Sequence, residues 1–197
     1  MTRTATRGMS ATLKAVVAAV KLVAAEEIMP RYLKVAHQRK SDGSLCTEAD
    51  TAAQTALTKK LQAILNVPVL GEEMPAAEQH AIWQSGNDGL WCIDPIDGTS
   101  NFVRGLPYFA VSVALLRNGK SQLGVVYDPV ADEVFAAESG KGAFLNGELL
   151  VKREAAGSLQ QALANVDLKR LGARLVTQLA SNPPYSSQRN FGASALD

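Results

Sequence analysis

Leu90-Trp91-Cys92-Ile93-Asp94-Pro95-Ile96-Asp97-Gly98-Thr99-Ser100-Asn101-Phe102 is the passage from which the architecture of this 197-residue chain can be worked out. Residues 90–93 form a short apolar run, read as a strand, and the run ends on Asp94. Pro95 fixes one φ, so Asp94 and Asp97 can be held on one side of a tight loop, with the Ile96 carbonyl between them as a further oxygen. Gly98 lets backbone approach a ligand closely, and residues 99–102 are expected to open a short helix whose exposed N–H groups favour an anion. Upstream, residues 67–70 repeat the pattern: an apolar run, then Gly71-Glu72-Glu73. In a layered α/β fold such strand ends converge on one rim, where sites form. Carboxylates gathered there repel one another unless a cation holds them, and hard oxygen ligands suit Mg²⁺.

Outward from this centre, Ser10 is a fitting N-cap for a helix carrying Leu13, Val16, Val17, Val20, Ala24 and Ile28 at helical spacing. Pro30 should kink or end it, and residues 34–44, polar and basic with an Asp42-Gly43 turn, read as a mobile loop. A second helix is expected from Thr47, with Ala49, Ala53, Leu57, Leu61, Ile64 and Leu65 along one face. Strands follow at 109–117 and 122–127, joined by Asn118-Gly119, a strong hairpin signal. Further strands are expected at 133–138 and 142–145, with Asn146-Gly147 as another tight turn. The last elements are a strand at 162–166, a helix at 168–180 and a strand at 187–191. Helices, then hairpins, then alternation give an α/β (mixed α+β) fold with a mixed sheet, in a single domain spanning residues 1–197.

Composition narrows the function. The chain is 47% hydrophobic and 20% charged, with 20 Lys+Arg against 19 Asp+Glu, which excludes a disordered chain and argues against a dedicated nucleic-acid binder. The longest apolar stretch, residues 15–25, is interrupted by Lys21 and is too short to span a bilayer; with no cleavage-site pattern after it, a cytoplasmic protein is expected. Cys46 and Cys92 lie in no metal or redox pattern, and His37 and His80 suggest neither zinc nor a catalytic triad. Each acidic cluster has an ordinary reading taken alone: Pro-x-Asp-Gly is a common turn, Glu72-Glu73 a solvated pair, and Asp50 the closing acid of a capping box in Thr47-Glu48-Ala49-Asp50. A calcium EF-hand loop is excluded because counting from Asp94 puts Gly105, not Glu, at the twelfth position. Ser139-Gly140-Lys141-Gly142 lacks the spacing of a nucleotide P-loop.

Taken in order, Gly71-Glu72-Glu73 and then residues 91–102 resemble the two signatures of the inositol monophosphatase family. The likeness continues through Gly124-Val125-Val126-Tyr127-Asp128-Pro129, Gly142-Ala143-Phe144-Leu145-Asn146-Gly147 and Arg189-Asn190-Phe191-Gly192, over nearly the whole chain. The resemblance implies a layered αβαβα sandwich of the inositol monophosphatase/fructose-1,6-bisphosphatase type. It implies Mg²⁺-dependent, often lithium-sensitive hydrolysis of a phosphate monoester, with roughly two to three ions. By position, Glu72, Asp94 and the Ile96 carbonyl match first-metal ligands, and Asp94 with Asp97 the second-metal pair, with Glu72 also near a third, weaker ion. Thr99 and Asp50 match the pair that helps activate the attacking water. The Gly98 and Thr99 N–H groups match the phosphate cradle, and Asp97 and Ser194 face the substrate, although Ala193-Ser194 reverses the family's order of hydroxyl residue then alanine.

Inositol 1-phosphate is the leading substrate on this resemblance, because Thr99-Ser100-Asn101-Phe102 follows the monophosphatase branch. The alternatives are a fructose-1,6-bisphosphatase, a histidinol phosphatase, a 3′(2′),5′-bisphosphate nucleotidase, or a non-catalytic role in transcription regulation of the kind some bacterial relatives have. Relatives are usually homodimers. Arg31, Lys34, His37, Arg39 and Lys40 make a modest basic stretch, read as a solvated loop. Residues 192–197 read as the opening turn of a helix, so a missing C-terminal portion is expected. The family's late Trp-Asp motif has no counterpart here: Trp83 precedes Gln84 and Trp91 precedes Cys92. Weak or absent turnover is therefore expected of the 197-residue form, and comparing its rate with that of a form extended through the Trp-Asp region tests this.

Overall fold

The computed structural model describes residues 8–34, 37–39, 45–151 and 157–197. Ser10 caps the first helix, its hydroxyl accepting from the Leu13 N–H at 3.1 Å. Helix α1 (Ala11–Val23) buries Leu13, Val16, Val20 and Val23 on one stripe. The helix then widens into a π-helical turn (Ala24–Ile28) and tightens into a 3₁₀ turn (Met29–Arg31). Pro30 sits in that last turn; its ring crowds the preceding carbonyls and it offers no N–H, so the regular ladder ends there.

A short antiparallel ladder, β1 (His37–Arg39) with β2 (Leu45–Thr47), then leads into α2 (Glu48–Ile64). The expectation of an irregular loop over 34–44 is corrected in part by β1; residues 35, 36 and 40–44, Lys40 among them, lie outside the described residues. Thr47 and Asp50 form a reciprocal capping box, and Ala49, Ala53, Leu57 and Leu61 are buried at every fourth position of α2.

A seven-stranded sheet follows, in the order β3-β4-β5-β6-β7-β8-β9. Its strands are β3 (Val69–Gly71), β4 (Leu90–Asp97), β5 (Ala110–Arg117), β6 (Lys120–Asp128), β7 (Glu133–Glu138), β8 (Gly142–Leu145) and β9 (Glu148–Leu149). Only β3 and β4 run parallel; every other neighbouring pair is antiparallel. Asn118-Gly119 and Asn146-Gly147 make the tight turns with positive φ at both residues, as a two-residue hairpin requires. One face of the sheet packs Trp91, Val113, Val125, Val134 and Phe144 against α1 and α2. The Trp91 indole N–H donates to the Leu65 carbonyl beyond the end of α2, at 3.1 Å.

Two helices connect within this region. Between β3 and β4 lies α3 (Ala76–Ser85), which buries none of its residues. After β4 comes α4 (Thr99–Arg104), whose Phe102 stacks edge-on to Phe109 at 5.1 Å and tilts on Tyr32 at 5.4 Å. The C-terminal part is a βαβ unit: β10 (Leu163–Asn165), a 3₁₀ turn (Leu168–Arg170), α5 (Ala173–Ser181) and β11 (Ser187–Arg189). β10 and β11 pair in parallel. The single helix expected over 168–180 is divided at Leu171-Gly172, with Asp167 capping the 3₁₀ turn and Gly172 the helix. The whole is the mixed α/β fold expected, a mixed sheet flanked by helices.

Candidate active site

The parallel register of β3 and β4 builds the acidic rim. Gly71 stands opposite Ile93, and the Glu72 N–H donates to the Ile93 carbonyl at 3.2 Å. Glu72 therefore falls beside Asp94, the next residue on β4. Gly71 lets the Gln54 amide lie close against the strand end: a Cβ there would displace that amide, whose oxygen accepts the Glu73 N–H at 3.0 Å.

Asp94 and Asp97 share a side for a reason different from the tight loop expected. Both lie within β4, three residues apart, and in a regular strand they would face opposite ways. The β4–β5 register slips between Asp94 and Asp97, so Pro95 and Ile96 turn inward and both acids stay accessible. Asp94 then closes a local turn, Oδ1 accepting the Ile96 N–H at 3.1 Å.

The crowding has an electrostatic signature. Burial, the Glu72 charge, a hydrogen bond to Glu72 and the Asp97 charge together push the Asp94 carboxyl up to about 8. Burial also raises Asp97, partly offset by the Ala195 and Ser194 N–H groups, the former 2.6 Å from Asp97 Oδ2. Among the described residues no three carboxylate, imidazole or thiol groups form a closed metal cage by themselves. Glu72 and Asp94 share a hydrogen bond, and Asp97 is tied to the segment at 194–195. The donor chemistry nonetheless suits a hard divalent cation: carboxylates and one carbonyl, with the ionisation of Asp94 and Asp97 opposed in its absence.

Behind this rim lies Asp50. It is buried at 1% exposure, and Oδ2 accepts both the Thr47 N–H at 2.7 Å and the Thr47 hydroxyl at 2.5 Å. Oδ1 faces the Thr99 hydroxyl at 3.4 Å, which also lies 3.0 Å from the Ile96 carbonyl. Burial raises the Asp50 carboxyl above its ordinary value. Gly98, at φ 93°, is the left-handed hinge that turns β4 into α4, and a Cβ there would crowd Ala193 and the Tyr108 carbonyl.

A cavity of about 430 Å³ opens over these groups, lined by Glu72, Asp94, Ile96, Asp97, Gly98, Thr99 and Ser194. Seven of the eight residues singled out in the sequence thus meet around one space, and the eighth, Asp50, touches it through Thr99. Six further liners were not singled out as site residues: Ser100, Asp167, Arg170, Asn190, Gly192 and Asp197. Asp167 had a signal, since like Asp94 it directly follows an apolar run. Asn101 was also missed; its buried amide donates to the Tyr108 and Phe191 carbonyls at 2.7 and 2.8 Å and joins the two parts of the molecule. A larger cavity, about 980 Å³, lies along α2 near Glu27, Arg31 and Lys59 and contains none of the converging rim acids.

A strand-end cluster of acids beside a glycine-hinged helix start is the arrangement of a metal-assisted site for phosphate esters. The sequence profile of the Inositol monophosphatase family matches residues 9–197, and the chain belongs to that family. It is 39% identical over 140 residues to the fructose-1,6-bisphosphatase/inositol-1-monophosphatase of Thermotoga maritima, covering 70% of this chain and 52% of that one. It is 44% identical over 105 residues to the Nus factor SuhB of Pseudomonas aeruginosa, covering 53% and 38%. Among solved structures it resembles an IMPase/NADP phosphatase complexed with Mg²⁺ and phosphate, at 26% identity and a TM-score of 0.74, covering 91% of this chain and 65% of that one. The chain spans about half the length of the first curated relatives it matches. No helix among the described residues is long and apolar enough to cross a membrane.

Proposed function

We propose that this protein hydrolyses a phosphate monoester with Mg²⁺, with inositol 1-phosphate or a related polyol or sugar phosphate as substrate. The observation that carries this is the convergence of Glu72, Asp94 and Asp97 with the Gly98–Thr99 turn on one cavity. The family match and the Mg²⁺–phosphate complex of a structural relative support it. Glu72, Asp94, Asp97 and the Ile96 carbonyl would hold the metal. When bound, the metal lowers the pKa of a coordinated water and neutralises charge on the phosphate.

The chain's own groups do the rest. Asp50, its Oδ2 saturated by Thr47, presents Oδ1 as a fixed acceptor toward the Thr99 hydroxyl. Thr99 can then take a proton from an approaching water while passing its own toward Asp50, whose buried carboxylate has a raised affinity for it. The Gly98 and Thr99 N–H groups orient the phosphate oxygens. Asp97 has one oxygen held by the Ala195 N–H, so residues 194–195 are brought against the substrate end of the cavity.

Asp94→Asn tests the assignment. Paramagnetic resonance of added Mn²⁺ should show binding weakened by at least about 100-fold, the scale on which metal-site changes act, with far-UV circular dichroism unchanged. Phosphate release from inositol 1-phosphate and a panel of sugar and nucleotide phosphates should fall with it. Wild-type Mn²⁺ affinity in the variant would remove Asp94 from the metal site.

A further inference from the structure

We infer that Gln54 and Gln79 are positioning residues for Glu72: together they fix the peptide groups on either side of it and so aim its carboxylate at the metal position beside Asp94. This rests on the metal-assisted reading above and deepens it. The direction of a residue's Cα–Cβ bond is set by its two flanking peptide planes, since each plane is rigid and only φ and ψ can turn. At Glu72 both planes are tied at both ends. In the first, the Glu72 N–H donates to the Ile93 carbonyl at 3.2 Å, and the Gly71 carbonyl accepts from Gln79 Nε2 at 2.9 Å. In the second, the Glu72 carbonyl accepts from the same Nε2 at 3.1 Å, and the Glu73 N–H donates to Gln54 Oε1 at 3.0 Å. Three of these four hydrogen bonds come from the two glutamines, one on α2 and one on α3.

Sheet pairing alone does not hold this turn, because β3 ends at Gly71 and Glu72 is exposed. Glutamine suits the task. Its amide nitrogen carries two hydrogens, enough for two successive carbonyls, and its oxygen accepts a backbone N–H. Helix α3 points the same way. Ten residues are too few for a helix to be stable by itself, and α3 buries none of them; only Gln79 and Ile82 are half-buried. Among the described residues, the side-chain hydrogen bonds from α3 to other elements are those of Gln79. The helix is thus docked through the contact that holds Glu72, and an apolar face plays little part. Once ionised, Glu72 and Asp94 repel each other until a cation arrives, so a free backbone would let Glu72 swing into solvent. Outer groups that fix a ligand's orientation hold it ready for the ion.

Paramagnetic resonance of Mn²⁺ added to the full chain, with amide exchange of the metal-free chain followed in parallel, tests the inference. Gln79→Ala and Gln54→Ala should each weaken Mn²⁺ binding about tenfold, the lower end of the scale for outer-shell partners. Exchange at Glu72 and Glu73 should quicken in both, while β5 and β6 keep their wild-type rates. Glutamate variants separate aim from charge, because each adds one negative charge beside the Glu72 turn. Gln54→Glu keeps an acceptor for the Glu73 N–H and should bind Mn²⁺ within about threefold of wild type. Gln79→Glu, when ionised, has no donor for the two carbonyls and should bind at least about tenfold more weakly. Wild-type affinity in both alanine variants, or equal affinity in the two glutamate variants, would overturn the positioning role, while weakened binding by Asp94→Asn kept the metal site intact. Wild-type affinity in Asp94→Asn would remove the metal site, and the inference with it.

Discussion

The seven-stranded sheet with its two helices and the C-terminal βαβ unit obey different physics. The first buries Leu13, Val20, Leu57, Trp91, Phe102 and Phe144 completely, and its strands are joined mostly by tight turns. The second has two strands of three residues each and a helix with no buried residue, and leaves Leu159, Leu163, Leu175 and Phe191 exposed. Two parallel strands do not make a stable sheet alone. What holds the βαβ unit is a handful of contacts at the site itself: Asn101 to the Phe191 carbonyl, Asp97 to Ala195, the Tyr108 hydroxyl to Asp197 at 3.1 Å, and the Tyr108–Phe191 ring contact at 5.2 Å. The proposed metal and water chemistry therefore stands on the rigid part. Asp167, Arg170 and Asn190, which line the other side of the cavity, stand on the loosely supported part.

Substitutions in the two parts should differ in scale. Phe102→Ala, in the closed aromatic cluster, should cost about 3–5 kcal/mol in urea unfolding. Asn101→Ala leaves the half-buried Tyr108 carbonyl and the Phe191 carbonyl without this donor and should cost about 1–2 kcal/mol. Its distinguishing result is local: amide exchange should quicken across 187–197 before it does in β5 or β6. Uniform quickening would mean that the βαβ unit unfolds only with the rest.

Removing a crowded carboxylate should act in the opposite sense. Asp94→Asn, expected to weaken Mn²⁺ binding, should raise the stability of the metal-free protein by roughly 1 kcal/mol, since it removes a carboxyl whose ionisation its neighbours oppose. A lower thermal midpoint in that variant would show that the acids are not in conflict. Leu175→Ala, on the exposed face of α5, should change stability by less than about 0.5 kcal/mol.

The smallest effect concerns pH. Hydrogen bonds from Lys21 and Tyr127 hold the fully exposed Asp132 carboxyl below its ordinary value. The sign follows: its contribution is present above the ordinary carboxylate range and lost as pH falls through the lowered value. Urea midpoints of wild type and Lys21→Met between pH 2 and 6 should therefore converge at the acid end; a gap widening there would reverse the assignment.

Much of this was legible in the chain because local chemistry agreed with the final packing. Ser10 and Thr47 start their helices where an N-cap should, and both Asn-Gly turns close hairpins. α3 was not foreseen, since it has almost no apolar face to reveal it, and β1 sits in a segment too polar to suggest pairing. The helix expected from Leu168 was divided because Asp167 and Gly172 each cap a separate turn.

The sequence by itself determined the inventory of the site: which acids follow strands, which glycine turns the chain, and which threonine follows it. These are properties of neighbours along the backbone, fixed by φ preferences and short-range hydrogen bonds. Only the tertiary structure decided which of them meet. Parallel pairing of β3 with β4 puts Glu72 beside Asp94 across 22 positions (94 − 72), and a bulge, not a loop, turns Asp94 and Asp97 the same way. Arg170 reaches the same cavity through a strand pair formed 24 residues apart (187 − 163). Register and strand order are settled by burying one face of the sheet, a long-range requirement that no local stretch of sequence carries.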